Sequence, residues 1–170
     1  MSELPALPDP ESLLAALVER LRPSTGADTG LIGIRTGGVW AAERLRAALG
    51  VQPPLGAIDV SFYRDDYGKV GLHPGVKPSE IGFSVEGRDI LLVDDVLYTG
   101  RTVRAAINEI FDYGRPRRIR LAALVDRGGR ELPYAPDVVG TTLRVPDEVR
   151  IDLDRAEDGR LVLSYRHPKG

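Results

Sequence analysis

The segment ILLVDDVLYTGRT, residues 90–102, limits what this chain can become more than any other. It opens on four apolar residues without alternation, which suits a strand buried on both faces, as in a parallel sheet covered by helices. Asp94 and Asp95 then close the strand. Hydroxyls, a glycine and an arginine follow before an amphipathic run begins at Thr102. Val103, Ala106, Ile107, Ile110 and Phe111 share one helical face, and Gly114 and Pro116 end that helix at Tyr113. Strand, loop and helix in this order form half of a βαβ crossover.

The rest of the chain repeats the theme. Asp9-Pro10 reads as an N-cap with proline at the first helical position, and Leu13, Leu14, Leu17, Val18 and Leu21 recur at helical spacing up to Pro23. A turn over 24–30 leads to a buried strand at Leu31–Ile34. After the loop Arg35-Thr36-Gly37-Gly38, a helix is expected over Val39–Leu49 with Gly50 just beyond its end. Val39 and Trp40 on that helix read as packing residues. Gly56–Tyr63 reads as a strand, Ile81–Val85 as a small one, Asp89–Val93 as the strongest, and Arg118–Val125 as a further strand of parallel type. Residues 64–80 are polar, rich in Gly and Pro and without apolar period. That pattern reads as a long loop of the kind that often forms a mobile lid. Val149, Ile151 and Leu153 alternate, as do Leu161, Leu163 and Tyr165, and Asp158-Gly159 between them marks a C-terminal hairpin. The expectation is a single α/β domain over residues 1–170, with a mainly parallel central sheet flanked by helices. Its ligands would sit at the carboxyl ends of the strands.

At that end the opening segment presents a chemical contrast. Acids repel anions, yet the loop after them is suited to hold one. Backbone N–H groups at a helix start are unpaired and the helix dipole there favours negative charge. Gly100 allows close approach, and Thr99 and Thr102 add hydroxyls. Carboxylates immediately before such a loop suit vicinal hydroxyls. A ligand with both a terminal phosphate and a diol, such as a ribose 5-phosphate, matches the pair.

Several classes drop out. The chain has 170 residues, no cysteine and a formal net charge of −2. Disulfides, thiol catalysis and Cys-ligated metal are excluded, and no global basic field draws it to nucleic acid or anionic lipid. No apolar run approaches the roughly 20 residues of a membrane span, and no secretory signal opens the chain. These features fit the cytoplasm. His73 and His167 lack metal-ligand spacing. There is no G-x-x-x-x-G-K-[ST] and no G-x-S-x-G, and Gly33–Gly38 is not G-x-G-x-x-G.

Val93–Arg104 resembles the phosphoribosyl-diphosphate (PRPP) signature of type I phosphoribosyltransferases. It is similar, more closely, to the PyrR family of uracil phosphoribosyltransferases that double as regulators of bacterial pyrimidine operons. Ile58-Asp59-Val60, Phe62–Asp66, Gly114-Arg115-Pro116, Leu124–Gly128 and Arg130–Pro133 carry the same resemblance, which spans about residues 31 to 140. The resemblance implies the type I phosphoribosyltransferase fold and the reaction of uracil with PRPP to give UMP and diphosphate. It assigns the ribose hydroxyls to Asp94 and Asp95, and the 5-phosphate to the loop Val96, Leu97, Tyr98, Thr99, Gly100, Arg101 and Thr102. Arg35, Thr36, Gly37 and Gly38 become the diphosphate loop. Arg64 becomes a catalytic cation that, with Asp65 and Asp66, begins the lid. Asp126 and Arg127 lie near uracil and its nucleotide product. Mg²⁺ is implied through substrate oxygens near Asp94 and Asp95. UMP, with UTP as a further candidate, would be the effector for binding of pyrimidine-operon leader mRNA, and a homodimer or higher homo-oligomer is implied.

The chain departs from the family pattern at defined places. Gly37 stands where an arginine is usual, and Gly129 where a histidine is usual. Val18 and Glu19 replace the usual Thr and Arg of the first helix, and Gly140–Pro146 lacks the usual lysines. Phosphate contacts carry RNA affinity. Arg115, Arg117, Arg118, Arg120, Arg127 and Arg130 are the candidates for a replacement basic patch.

Overall fold

In the computed structural model, which describes residues 3–60 and 79–168, five strands form one sheet, all parallel, in the order β2-β1-β3-β4-β5. They are β1 (Gly30–Ile34), β2 (Leu55–Ile58), β3 (Asp89–Leu97), β4 (Arg118–Asp126) and β5 (Val138–Thr142). Three helices, α1 (Pro10–Leu21), α2 (Gly37–Ala48) and α3 (Arg101–Tyr113), cover them, and β6 (Arg150–Arg155) pairs antiparallel with β7 (Leu161–Arg166) as the expected hairpin.

The unbroken apolar runs have the cause expected of them. Along β3, Leu91 and Val93 join a core shared with α1, α2 and the hairpin, while Ile90 and Leu92 join a second core under α3. All four are 0–1% exposed. At about 25 cal/mol per Å², such side chains each contribute roughly 1.5–3 kcal/mol of burial free energy. α1 starts where Asp9 accepts the Glu11 N–H at 3.3 Å, with Pro10 in its first turn.

The strand order places the site. From β1 the chain moves outward to β2, then returns across β1 to lay down β3 on the other side. The crevice at this reversal is where open α/β sheets bind ligands. It lies between the ends of β1, at Ile34, and β3, at Asp94 and Asp95. Glycines allow the helix at this crevice to sit low on the sheet. A Cβ on Gly38 would lie 2.5 Å from the Val93 carbonyl oxygen, and one on Gly33 would lie 2.6 Å from Val39 Cα.

The structure corrects several boundaries. Ile81–Val85 is not a strand. Ile81, Phe83 and Val85 pack into the α3-side core, but backbone pairing is confined to a bridge between Glu80 and Ala57. The Phe83 ring fills space left by Gly30 and Gly56, so it is the side chains that belong to the core and not a ladder. The strand expected over 56–63 covers Leu55–Ile58; Asp59 and Val60 are not in it, and 61–63 lie outside the described residues. β3 runs on to Leu97, through part of the expected loop. α2 and α3 begin at Gly37 and Arg101, slightly ahead of the expected Val39 and Thr102. β5 was not anticipated. Its sequence, VVGTT, is β-branched but interrupted by Gly140, whose absent side chain leaves room for the Leu124 carbonyl oxygen and Leu13 of α1. The proposed arginine patch is split between the two ends of β4. Arg117 and Arg118 pair with Asp89 at the start of β4, and Arg120 binds Ser24. Arg127 and Arg130 lie at the other end of that strand, about 25 Å away at 3.3 Å per residue.

Because the approach of α2 to β3 leaves no room for a methyl group, Gly38→Ala is expected to lower stability by about 1–3 kcal/mol. A shifted urea midpoint at unchanged slope would register this, and an unchanged midpoint would contradict the tight packing.

Candidate active site

Two helix starts face the crevice, and two carboxylates stand between them. The first start is that of α2. The chain leaves β1 through Arg35-Thr36, joined by a cis peptide bond, and turns directly into the helix at Gly37. Thr36 stands at the N-cap without a side-chain capping hydrogen bond. The second start is that of α3, whose N-cap is Gly100 at φ 93°, a conformation glycine adopts without a Cβ penalty. Gly100 itself supplies no capping side chain, and the Thr99 hydroxyl before it accepts the Arg101 N–H. First-turn N–H groups at such ends have no partner within the helix.

Asp94 is 5% exposed, and one of its oxygens accepts the Asp95 N–H at 2.9 Å. Asp95 Oδ1 accepts the Val96 N–H at 2.8 Å, while its other oxygen packs onto Gly37 so closely that any Cβ there would overlap it. Both carboxylates are thus oriented by the backbone at the end of β3. Asp94, Asp95, Val96, Tyr98 and Thr102 line one side of a cavity of about 550 Å³, with Ile34, Arg35 and Thr36 across from them. Arg35 reaches Glu80 at 3.5 Å, and its side chain is 19% exposed.

The remaining wall was not foreseen. Asp147, Glu148, Arg150, Ile151 and Asp152, from the turn before β6 and from β6 itself, close the cavity. A signal was present: if Val149, Ile151 and Leu153 alternate into the core, Arg150 and Asp152 must face away from it. What the sequence did not reveal was which surface that opposite face meets. Asp152 is paired with Arg166 at 2.7 Å.

The other expected site residues divide by position. Leu97 is 1% exposed and belongs to the core. Thr99 shapes the loop: its hydroxyl oxygen accepts the Arg101 N–H at 3.2 Å, and its carbonyl accepts N–H groups from Glu131 and Leu132. Arg101 pairs with Glu131 at 2.9 Å. Gly37 and Gly38 are buried where α2 meets β3. Arg64, Asp65 and Asp66, with most of the expected lid, lie outside the described residues.

Of Asp126 and Arg127, Arg127 lines the cavity and Asp126 does not, and both make hydrogen bonds within the fold. Arg127 lines the cavity, yet it is 6% exposed, and its guanidinium donates to the carbonyls of Val149 and Pro146 in the hairpin wall. It also stacks 4.0 Å from the Tyr98 ring centre. Gly129 is what admits that ring, since a Cβ there would overlap it. Asp126 accepts from Gly128 N–H at 2.9 Å and from Arg130 at 2.7 Å. Burial raises the Asp126 pKa, but the Arg130 hydrogen bond, the Gly128 N–H and the charges of Arg130 and Arg144 outweigh it and hold the carboxyl below its usual range.

Comparison with known proteins places the chain in a family. A family model described as phosphoribosyl transferase domain matches residues 3–152. The chain is 51% identical over 152 residues to the Bifunctional protein PyrR of Pseudomonas entomophila, covering 87% of this chain and 88% of that protein. It is 50% identical to the protein of the same name from Pseudomonas fluorescens, covering 87% and 90%. Among solved structures, a purine phosphoribosyltransferase from Pyrococcus horikoshii superposes with a TM-score of 0.63 at 29% identity, over 80% of this chain and 85% of that one. A hypoxanthine phosphoribosyltransferase from Staphylococcus aureus superposes at 0.64 and 22% identity, over 88% and 81%, a likeness of fold. With a domain model matched along most of its length and relatives half identical over nearly all of it, the chain belongs to the phosphoribosyltransferase family and, within that family, to the PyrR proteins.

Proposed function

We propose that the chain transfers the ribose 5-phosphate of PRPP to uracil, giving UMP and diphosphate, and that UMP in turn governs its binding to pyrimidine-operon leader mRNA. The observation that carries the first part is the pair of helix starts whose N-cap residues, Thr36 and Gly100, make no side-chain capping bond, with the Asp94-Asp95 pair between them. PRPP is a diol with an anionic group at each end. The α3 start and Thr102 suit the 5-phosphate, the α2 start and Arg35 suit the diphosphate, and the acids suit the hydroxyls in between. The base then lies toward Tyr98, Arg127 and the hairpin wall.

As the bond from ribose C1 to the diphosphate oxygen breaks, its electron pair leaving with diphosphate, and uracil N1 bonds to C1 and releases its proton to solvent or diphosphate, positive charge grows on the sugar. The fixed carboxylates of Asp94 and Asp95 stabilise it without having to reorganise. Negative charge grows on the departing diphosphate, next to the α2 amides and Arg35. Cleft walls from β6 and the loop after β3 limit the access of water, which would hydrolyse the sugar. The donor set fits Mg²⁺, which takes oxygen ligands from one or two carboxylates together with substrate phosphates and water. Asp94 and Asp95 would hold it, and its charge would help to neutralise the diphosphate. None of the described helices is long and apolar enough to cross a membrane.

The regulatory part is supported by relatives whose name states that they are bifunctional. Of the expected patch, Arg127 and Arg130 are held inside the fold, while Arg117 and Arg118 share Asp89 at an exposed edge and keep solvent-facing charge for such a role.

Three outcomes test this reading. Asp95→Asn is expected to cut turnover of uracil and PRPP at least about a hundredfold, with little change in melting temperature. Near-normal turnover would remove Asp95 from the chemistry. Gly37→Arg, which restores the arginine usual in the family, is expected to lower turnover, because its Cβ overlaps the Asp95 carboxylate. A gain would mean that the leaving group lacks a cation here. Leader RNA from the host's pyrimidine operon, titrated at one fixed salt concentration, is expected to bind more tightly with UMP than without it. Binding no tighter than to unrelated RNA would limit the protein to its enzymatic role.

A further inference from the structure

Arg130 and Asp126 adjoin the loop proposed to hold the 5-phosphate but do not line the cavity. Arg130 spends all three of its nitrogens on the fold. Nη1 donates to the Tyr98 carbonyl, Nε to the Tyr134 carbonyl and Nη2 to Asp126 Oδ2, each at 2.7 Å. Its side chain is 23% exposed and that of Asp126 is 16% exposed. Asp126 ends β4, and its second oxygen is held by the Gly128 N–H. The guanidinium therefore joins the rigid end of a central strand to the first residue of the 98–102 loop. Next to this link, the Glu131 and Leu132 N–H groups both donate to the Thr99 carbonyl, and Glu131 pairs with Arg101.

We propose that Arg130, anchored by Asp126, is a positioning residue that holds the 98–102 loop in its phosphate-binding shape. The inference rests on the PRPP reading above, and it removes both residues from direct contact with uracil or RNA. The physical case is one of geometry. A loop that cradles a phosphate with backbone N–H groups must have its carbonyls turned away and satisfied elsewhere, or they would face the anion. Tyr98 and Thr99 meet this requirement through Arg130 and the two residues after it. Only a planar fork with divergent donors serves three acceptors in one plane; a lysine ammonium is a single point on a flexible stem.

The test is steady-state kinetics and amide hydrogen exchange on the full chain, for wild type, Arg130→Met, Arg130→Lys, Asp126→Asn and the Arg130→Met/Asp126→Asn pair. Arg130→Met is expected to raise KM for PRPP roughly tenfold or more while KM for uracil stays within about twofold. Exchange at the amides of 98–102 should accelerate while the β3 amides stay protected. Arg130→Lys should fall between wild type and Arg130→Met, and the double variant should resemble Arg130→Met alone, since the two residues act as a unit. A merely structural role predicts instead that both KM values and kcat shift together with melting temperature, and that outcome overturns the proposal. Unchanged exchange at 98–102 in every variant also overturns it. If Arg130→Met does not fold, Asp126→Asn and Arg130→Lys decide by the same readouts. If the wild type does not consume PRPP with uracil, the functional reading fails by itself, and the exchange pattern still decides whether Arg130 holds the loop.

Discussion

Everything at this site depends on how closely the start of α2 is pressed against the end of β3. The contact is made by absent atoms. Gly33 leaves space for Val39, Gly38 for the Val93 carbonyl oxygen, and Gly37 for the Asp95 carboxylate. Side chains at these positions would hold the helix away and widen the crevice between β1 and β3. Pressed together, the two elements set a positive helix end beside two carboxylates, an arrangement of opposite charges fixed by backbone geometry. Gly37, where the family resemblance leads one to expect an arginine, then has a local meaning: its missing side chain is the space that the Asp95 carboxylate occupies.

The order of charge along the cleft follows from the sheet. Each parallel strand delivers its carboxyl end to the same edge, and each crossover helix starts just beyond it. The α2 start, the Asp94-Asp95 pair and the α3 start therefore occur in a row, alternating in sign. Such a row is poorly matched to a plain anion or a plain cation. It matches a molecule that is anionic at both ends and hydroxylic in the middle, and that becomes cationic in the middle as it reacts.

Much of this was legible in the residues, and the failures have particular causes. The β3 segment announced its strand, its acids and its helix because each signal is local: an unbroken apolar run, then a glycine, then helical spacing. β5 escaped because Gly140, which reads as a break, is there to admit α1 and the Leu124 carbonyl, a long-range reason. Ile81–Val85 misled in the opposite sense, since its apolar side chains fill gaps over Gly30 and Gly56 while its backbone pairs at one point. The hairpin was plain, but its role as a cleft wall was not, because no spacing rule reports which surface a hairpin's polar face will meet. The arginines of β4 read as a patch on paper. A strand separates its residues by length as well as by face, and the structure spends most of them on carbonyls and acids.

The hairpin is also tied to the other end of the chain. The Tyr165 hydroxyl donates to the Pro5 carbonyl, the Leu161 N–H to Glu11, and Arg44 to the Gly159 carbonyl. During synthesis α1, the sheet and both helix starts emerge before β6 and β7. A growing chain thus carries its two acids and the first-turn amides of α2 and α3 in an open trough. The trough becomes a cleft only when the last strands fold back onto residues made first. Vectorial synthesis thereby delays the walled site until this domain is whole.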